Sequence, residues 1–120
     1  PVFLPQVDPD GNETSGVRMP WIQVPLATYT GWNLRAPAIG APEELFSFVG
    51  ATLPFAPTRT EREKNGDPRP SIAERYKSRD EYLSKVDASI RNLTAGGYLL
   101  ESDTAALREQ AGRQWDHWTK

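Results

Sequence analysis

The sequence predicts a mixed fold in which helices dominate the second half. Nine of the eleven prolines lie within residues 1–57, where frequent proline interrupts both strands and helices. Residues 58–120 contain only two prolines and have apolar residues at helical spacing instead. We therefore expect a proline-rich segment of extended chain and short strands over 1–57, a charged linker with a short helix over 58–77, and an αα-hairpin over 78–120.

Composition limits the function classes that the chain can serve. Its 14 lysines and arginines nearly balance 16 aspartates and glutamates, which disfavours nucleic acid as a partner because phosphate binding needs clustered basic charge. The sequence has no cysteine and no apolar run near the roughly 20 residues of a membrane span. We expect a soluble protein, either cytoplasmic or exported. The start without methionine suggests a fragment, a processed chain or an excised domain.

The first half opens with a stretch whose acidic spacing suggests two interpretations. Asp8, Asp10 and Asn12 have the alternate spacing of a calcium loop, but the twelfth position of such a loop is Met19 rather than a glutamate. Asp-Gly and Gly-Asn steps favour a tight turn. We therefore predict a turn without a metal site. The arms of this turn would be residues 2–7 and 17–19.

The stretch from Tyr29 to Arg35 is the candidate binding segment. Tyr29, Trp32, Asn33 and Arg35 combine aromatic rings with an amide and a guanidinium, and such groups can line a ligand groove or recognise a carboxylate. The alternative is a buried aromatic cluster in which Asn33 and Arg35 bind backbone carbonyls. We favour the alternative because most large aromatic residues serve the core.

Residues 58–80 alternate basic and acidic side chains, which is typical of a solvated surface. Within this stretch Ser71 and Glu74 have the spacing of a capping box, which predicts a short helix over about 71–77. Ser78 and Glu81 repeat that signature and predict the start of a longer helix.

The two helices of the predicted hairpin each have one apolar face. In both, the inward positions follow spacings of 4, 4 and 3. Gly96 and Gly97 would end the first helix, and the second would begin near Ser102. The predicted inward residues are Tyr82, Val86, Ile90, Leu93, Leu107, Ala111, Trp115 and Trp118. We expect Tyr98, Leu99 and Leu100 to pack in the joint, and Phe46, Phe48, Leu53 or Phe55 to cover the apolar face.

Several segments form a specific combination when they are taken in order. The most distinctive are DGN followed by GVRMP within residues 10–20, TYTGWN at 28–33 and GDPRPSIAERY at 66–76. Together they resemble the C-terminal region of the large bacterial alpha/beta hydrolase domain family, over nearly the whole chain. The resemblance implies the end part of a several-hundred-residue α/β-hydrolase, which cleaves an ester or related carboxylic bond through a serine, an acid and a histidine.

The chain departs from that family pattern at the nucleophile. An α/β-hydrolase presents its serine in a G-x-S-x-G elbow, and this sequence contains no such motif. We therefore predict no catalytic residue and no cofactor, and a chain that is catalytically incomplete by itself. Its role would be that of a structural or cap part, with the remainder of a hydrolase or a second copy covering the apolar N-terminal half.

Two other functions stay open. One is a free-standing module that binds a small molecule or a protein through the Tyr29–Arg35 stretch. The other is a small enzyme that uses His117 or the amine of Pro1 as a base. The second is disfavoured, since Asp116 and His117 are adjacent on a helix and do not face each other, while Pro5 and Pro9 interrupt the segment after Pro1.

Overall fold

The computed structural model describes residues 3–46 and 48–120. The fold is mixed and consists of helices with a small two-stranded sheet. The helices are α1 (Pro20–Gln23), α2 (Arg59–Lys64), α3 (Ile72–Arg75), α4 (Arg79–Ala95) and α5 (Thr104–Trp118), and the strands are β1 (Ala27–Thr30) and β2 (Ala51–Pro54). Short 3-10 turns occupy Pro37–Ile39 and Glu101–Asp103. Pro1, and with it the proposed N-terminal base, lies outside the described residues, as does Val2 of the predicted first arm.

The sheet is antiparallel, and β1 and β2 run in register from the Ala27–Pro54 pair to the Thr30–Ala51 pair. The N–H of Phe55 donates to the Leu26 carbonyl at 2.9 Å and extends the pairing by one step. Both Leu26 and Phe55 are 1% exposed, so the ends of the two strands enter the core together.

Helix α4 begins where its capping residue predicts. The Ser78 side chain accepts a hydrogen bond from the Glu81 N–H at 3.2 Å, and the helix ends at Ala95 with Gly96 as its C-cap. Helix α5 runs antiparallel to α4. The ion pair between Arg79 at the start of α4 and Asp116 near the end of α5 shows this direction. No helix in the described part of the chain is long and apolar enough to cross a membrane.

The core joins both halves of the chain. From the first half, Val24, Leu26 and Phe55 are buried against the helices. Aromatic rings form the centre of this cluster: the centroid of Tyr82 lies 5.2 Å from that of Tyr76 and 5.1 Å from that of Trp115. The second half of the chain contributes Ile72, Tyr76, Tyr82, Leu83, Val86, Ile90 and Ala111 to the cluster, with Leu99, Leu107, Trp115 and Trp118 packed partly buried against them.

The predicted apolar contacts are met in part. Of the four alternatives for covering the helical face, Phe55 is buried in the core, whereas Phe46, Phe48 and Leu53 are exposed. Tyr98 and Leu100 are also exposed and do not pack in the joint between α4 and α5. The spacing of apolar residues within one helix predicts its inward face, but it carries no information on which distant loop residue covers that face.

The segment between residues 58 and 77 also differs from its prediction. It contains two helices, α2 and α3, and α3 is shorter than expected because Tyr76 has extended backbone angles. The prediction that this charged stretch is solvated is wrong for Arg69 and Arg75, whose side chains are only 19% and 14% exposed.

Candidate functional site

The turn around Asp8 organises the N-terminal part of the site. The Asp8 N–H donates to the Asn12 carbonyl at 2.8 Å, and Asp8 Oδ1 accepts from the N–H groups of Asp10 and Asn12, both at 3.0 Å. Gly11 has a φ of +80°, which favours glycine. The predicted tight turn is confirmed. The chain that pairs with Val7 across the turn is Glu13, in an antiparallel bridge, and not the predicted arm of residues 17–19.

Asn12 attaches this turn to the sheet. Its side chain is fully buried, its amide donates to the Ala27 carbonyl at 3.1 Å, and its Oδ1 accepts from the Tyr29 N–H at 2.8 Å. A neighbouring strand would use the same two backbone groups of β1. The Asn12 side chain therefore takes the place of a neighbouring strand at this edge.

Two arginines neutralise the acids of the turn. Arg18 Nη2 lies 2.7 Å from Asp8 Oδ2. Arg75, from α3, binds both carboxylate oxygens of Asp10, and its Nη1 lies 2.7 Å from Oδ2. The carboxylates that a calcium loop would use are thus engaged with guanidinium groups.

A third arginine ties the segment before α3 to the sheet. Arg69 holds Asp67 through two nitrogens, with Nη2 2.6 Å from Oδ2, and its Nη1 donates to Thr28 Oγ1 at 2.8 Å and to the Leu53 carbonyl at 3.0 Å. Hydrogen bonding from Arg69 lowers the pKa of Asp67. The guanidinium carbons of Arg75 and Arg69 lie 4.0 and 5.1 Å from the centre of the Phe55 ring, within the range of cation–π attraction.

The start of α3 is fixed by a capping box. Ser71 is fully buried, and its backbone N–H donates to Glu74 Oε2 at 2.9 Å. Arg62 from α2 also binds the Glu74 carboxylate, at 3.0 Å. The backbone and side-chain hydrogen bonds from Ser71, with a smaller contribution from Arg62, lower the pKa of Glu74 to about 2.

These contacts form one assembly, which we call the charged clasp. It joins residues 8–18 to residues 67–75, and both segments carry motifs that the sequence analysis singled out. The clasp consists of Asp8, Asp10, Asn12, Arg18, Asp67, Arg69 and Arg75. Each of its carboxylates is paired with an arginine, and it contains no histidine, so its chemistry suits holding segments together rather than acid–base catalysis.

One side of the clasp opens to solvent as a polar cleft of about 380 Å³. Asp8, Asp10, Arg18 and Arg75 line it, and Lys85 approaches from α4. Lys85 Nζ lies 3.1 Å from Glu81 Oε1, so this ammonium group is also paired.

Tyr29 is the most enclosed of the four predicted binding residues. Its hydroxyl is buried and has no hydrogen-bond partner among the described residues, and burial raises its pKa to about 12. Tyr29 lines a cavity of about 300 Å³ together with Arg18 and Ile22. Trp32, by contrast, is 55% exposed and does not belong to the lining of that cavity.

Asn33 and Arg35 are engaged with the loop that follows them. Asn33 Oδ1 accepts from the Leu34 N–H at 2.8 Å, and the Arg35 side chain donates through Nη2 to the Ile39 carbonyl at 3.4 Å. The structure therefore does not gather the four residues into one pocket. That they bind a ligand stays a prediction.

His117 lies exposed near the end of α5. The neighbouring carboxylate of Asp116 faces α4, where it binds Arg79 at 2.8 and 3.1 Å. The hydrogen bond from Arg79 lowers the pKa of Asp116. The acid next to His117 in the sequence is thus committed to the contact between helices.

Sequence reasoning did not identify Asn12, Arg69 and Arg75 as members of a common site. A signal was available, since all three lie in the DGN and GDPRPSIAERY segments. The alternation of charge around Arg69 and Arg75 suggested solvent exposure, whereas their acceptors lie far along the chain.

Comparison with known protein families places most of this chain in a described family. A family model described as an alpha/beta hydrolase domain matches residues 4–109, a range that contains every residue of the charged clasp. Neither the curated proteins nor the solved structures include a significant match to this chain.

Proposed function

The chain belongs to the alpha/beta hydrolase domain family, and on this premise we propose that it is a C-terminal structural or cap part of an esterase-like enzyme. In this proposal the parent enzyme cleaves carboxylic esters or related bonds. The present chain supplies packing surface and leaves the nucleophile to the remainder of the hydrolase.

The observation that carries the proposal is the apolar surface between residues 31 and 49. Large apolar residues are ordinarily scattered singly on a monomer surface, and a concentration of them marks an interaction site. The segment has seven exposed members, namely Trp32, Leu34, Ile39, Leu45, Phe46, Phe48 and Val49. The two described strands are also too few for the central sheet on which hydrolase chemistry is built, so we assign this surface to contact with the remainder of such an enzyme.

The serines of the chain support a non-catalytic role. None has glycine two residues away on both sides, as a nucleophile elbow requires. Ser71 and Ser78 cap helices, and Ser89 donates to Gln23 Oε1 at 3.0 Å. These hydroxyl groups hold local structure.

Covalent labelling tests the proposed incompleteness. The chain alone would be treated with a fluorophosphonate probe and assayed in parallel on a chromogenic butanoate ester. We expect no labelled serine in the intact mass and no turnover above that of a heat-treated sample. Stoichiometric labelling of one serine, together with turnover that the probe abolishes, would contradict the proposal.

A second candidate is a module that binds a small molecule or a protein through the Tyr29–Arg35 stretch. The observation that favours it is the unpaired Tyr29 hydroxyl beside the cavity of about 300 Å³, since buried donors ordinarily find a partner. Tryptophan fluorescence during titration with small amides and carboxylates would test it. Binding that Tyr29→Phe weakens would support the module, and identical titrations for wild type and Tyr29→Phe would contradict the proposed role of the hydroxyl.

A further inference from the structure

The two outer edges of the sheet differ. The hydrogen bond from the Phe55 N–H to the Leu26 carbonyl fixes the alternation of the ladder. The backbone groups of Thr28 and Leu53 therefore bond each other. The backbone groups of Ala27 and Tyr29 point outward from β1, and those of Thr52 point outward from β2.

Asn12 closes part of the β1 edge. Its side chain binds the outward C=O of Ala27 and the outward N–H of Tyr29. On β2, the described residues provide no hydrogen bond to the backbone N–H or C=O of Thr52. Arg69 Nη2 reaches the Pro54 carbonyl at 3.4 Å, which is a long contact. The strand is exposed on this side, and an exposed edge is a template for pairing with another strand.

We propose that β2 pairs in antiparallel register with β2 of a second copy of this chain, with Thr52 on the two-fold axis. In such a pair, the N–H of Thr52 donates to the C=O of Thr52 in the second copy. The C=O of Thr52 accepts from the N–H of that same residue in return, so this one position forms two reciprocal hydrogen bonds. The next outward N–H, that of Gly50, then faces the carbonyl of Pro54 from the second copy.

Proline selects this register over its neighbours. Pro54 has no N–H, so a pairing centred on Pro54 would lack both reciprocal donors. Centring on Thr52 uses Pro54 only as an acceptor, which its carbonyl can serve. It also places Leu53, which is 49% exposed, beside Ala51 of the second copy and buries part of its side chain.

Self-pairing would extend the two-stranded sheet of one copy to four strands. A two-stranded ribbon is marginal, and three or more strands are more stable. Two copies joined at Thr52 form a four-stranded sheet in the order β1-β2-β2-β1, with Asn12 closing both ends. Because β2 has four residues, we expect weak association with a dissociation constant of roughly 10 μM to 1 mM. The inference does not depend on the hydrolase role.

Matched lysine substitutions test the register. Thr52→Lys places two like charges opposite each other on the axis, whereas Thr60→Lys adds the same charge to an exposed position of α2. In sedimentation equilibrium at low salt, Thr52→Lys should weaken dimerisation about fivefold or more, and Thr60→Lys should leave it unchanged. Equal helical circular dichroism of the two variants would show that both are folded.

A charge-reversed partner completes the test. Mixing Thr52→Lys with Thr52→Glu should restore association to at least the wild-type level, because the two side chains then attract across the axis. A monomeric wild type up to about 1 mM, the upper end of the expected range, would overturn the proposal. Equal dimerisation of the two lysine variants, or a mixture that fails to associate better than either member alone, would also overturn it.

Discussion

Asn12 shows how a single side chain can close a strand edge. A primary amide carries one acceptor and two donors in one plane, and this geometry matches the outward carbonyl of Ala27 and the N–H of Tyr29. The side chain is fully buried, so water cannot replace either bond. Asn12 therefore determines where the turn of residues 8–12 sits on the sheet.

Replacing Asn12 by alanine should destabilise the protein by about 2 to 4 kcal/mol, because two backbone groups of β1 would lose their partner in a buried place. Chemical denaturation followed by tryptophan fluorescence would measure the change. Asn33→Ala is the matched control, since the Asn33 side chain bonds only the adjacent Leu34 N–H in an exposed loop, and we expect a loss below about 0.5 kcal/mol there. Similar losses for the two variants would contradict the role of Asn12.

Gly11 and Gly16 offer a second comparison at the residue scale. Both have positive φ, at +80° and +76°. A Cβ on Gly11 would lie 3.0 Å from Thr28 Cγ2, whereas one on Gly16 would meet nothing within 4 Å. Gly16→Ala should therefore lower stability by about 1 kcal/mol through backbone strain alone, and Gly11→Ala should lower it by more. Equal losses in thermal melting experiments would show that the turn does not press on Thr28.

At the scale of elements, local signals predict the long helix α4 well. Ser78 caps α4, and the spacing of Tyr82, Val86, Ile90 and Leu93 predicts the face that is buried. These signals lie within one or two turns of the residue that they describe. A helix start or inward face can thus be predicted without knowledge of the remaining chain.

Contacts between distant segments could not be predicted in the same way. Arg75 pairs with Asp10 across 65 positions, and neither residue has a neighbour in sequence that indicates the other. Phe48 and Phe55 are similar side chains seven positions apart, yet one is fully exposed and the other buried. Only the docking of the turn and the sheet onto α3 and α4 separates these two environments.

The capping box of α3 should make stability depend on acid pH. The pKa of Glu74 is about 2 in the folded protein, below its ordinary value of 4.5. A lowered folded pKa means that the contribution to stability is present above pH 4.5 and is lost as the pH falls through about 2. Glu74→Gln should therefore melt at a lower temperature than wild type at pH 7.

The difference between Glu74→Gln and wild type should shrink below pH 4.5 and disappear near pH 2. Melting temperatures measured between pH 2 and 7 would check this. Glu43→Gln, at an exposed position in the loop after Pro42, serves as a control that should follow wild type throughout. A constant difference between Glu74→Gln and wild type at all pH values would contradict the proposed ionised cap.

At the scale of the whole molecule, the two halves share one core. Val24, Leu26 and Phe55 contribute buried apolar surface from the first half, and each such side chain stabilises the fold by about 1.5 to 3 kcal/mol. We therefore expect residues 58–120 alone to melt earlier and less cooperatively than the full chain. Circular dichroism at rising temperature would measure this, and equal heat stability of the two chains would show that the first half adds nothing to the core.

The charged clasp joins the proline-rich half of the chain to the helical half. The clasp contact that spans the largest separation in sequence is the ion pair of Asp10 with Arg75, whose side chains are 16% and 14% exposed. Removing one partner leaves a largely buried charge, so Asp10→Asn and Arg75→Gln should each destabilise the protein by about 3 kcal/mol.

A double-mutant cycle over these two substitutions measures whether Asp10 and Arg75 hold the two halves together. We predict a coupling of about 2 kcal/mol between Asp10 and Arg75, because the double variant leaves neither charge unpaired. The exposed pair of Arg79 with Asp116 provides the reference cycle, and its coupling should be clearly smaller because solvent screens exposed ion pairs. A coupling below about 0.5 kcal/mol for Asp10 and Arg75 would be within the range of independent sites and would contradict the clasp.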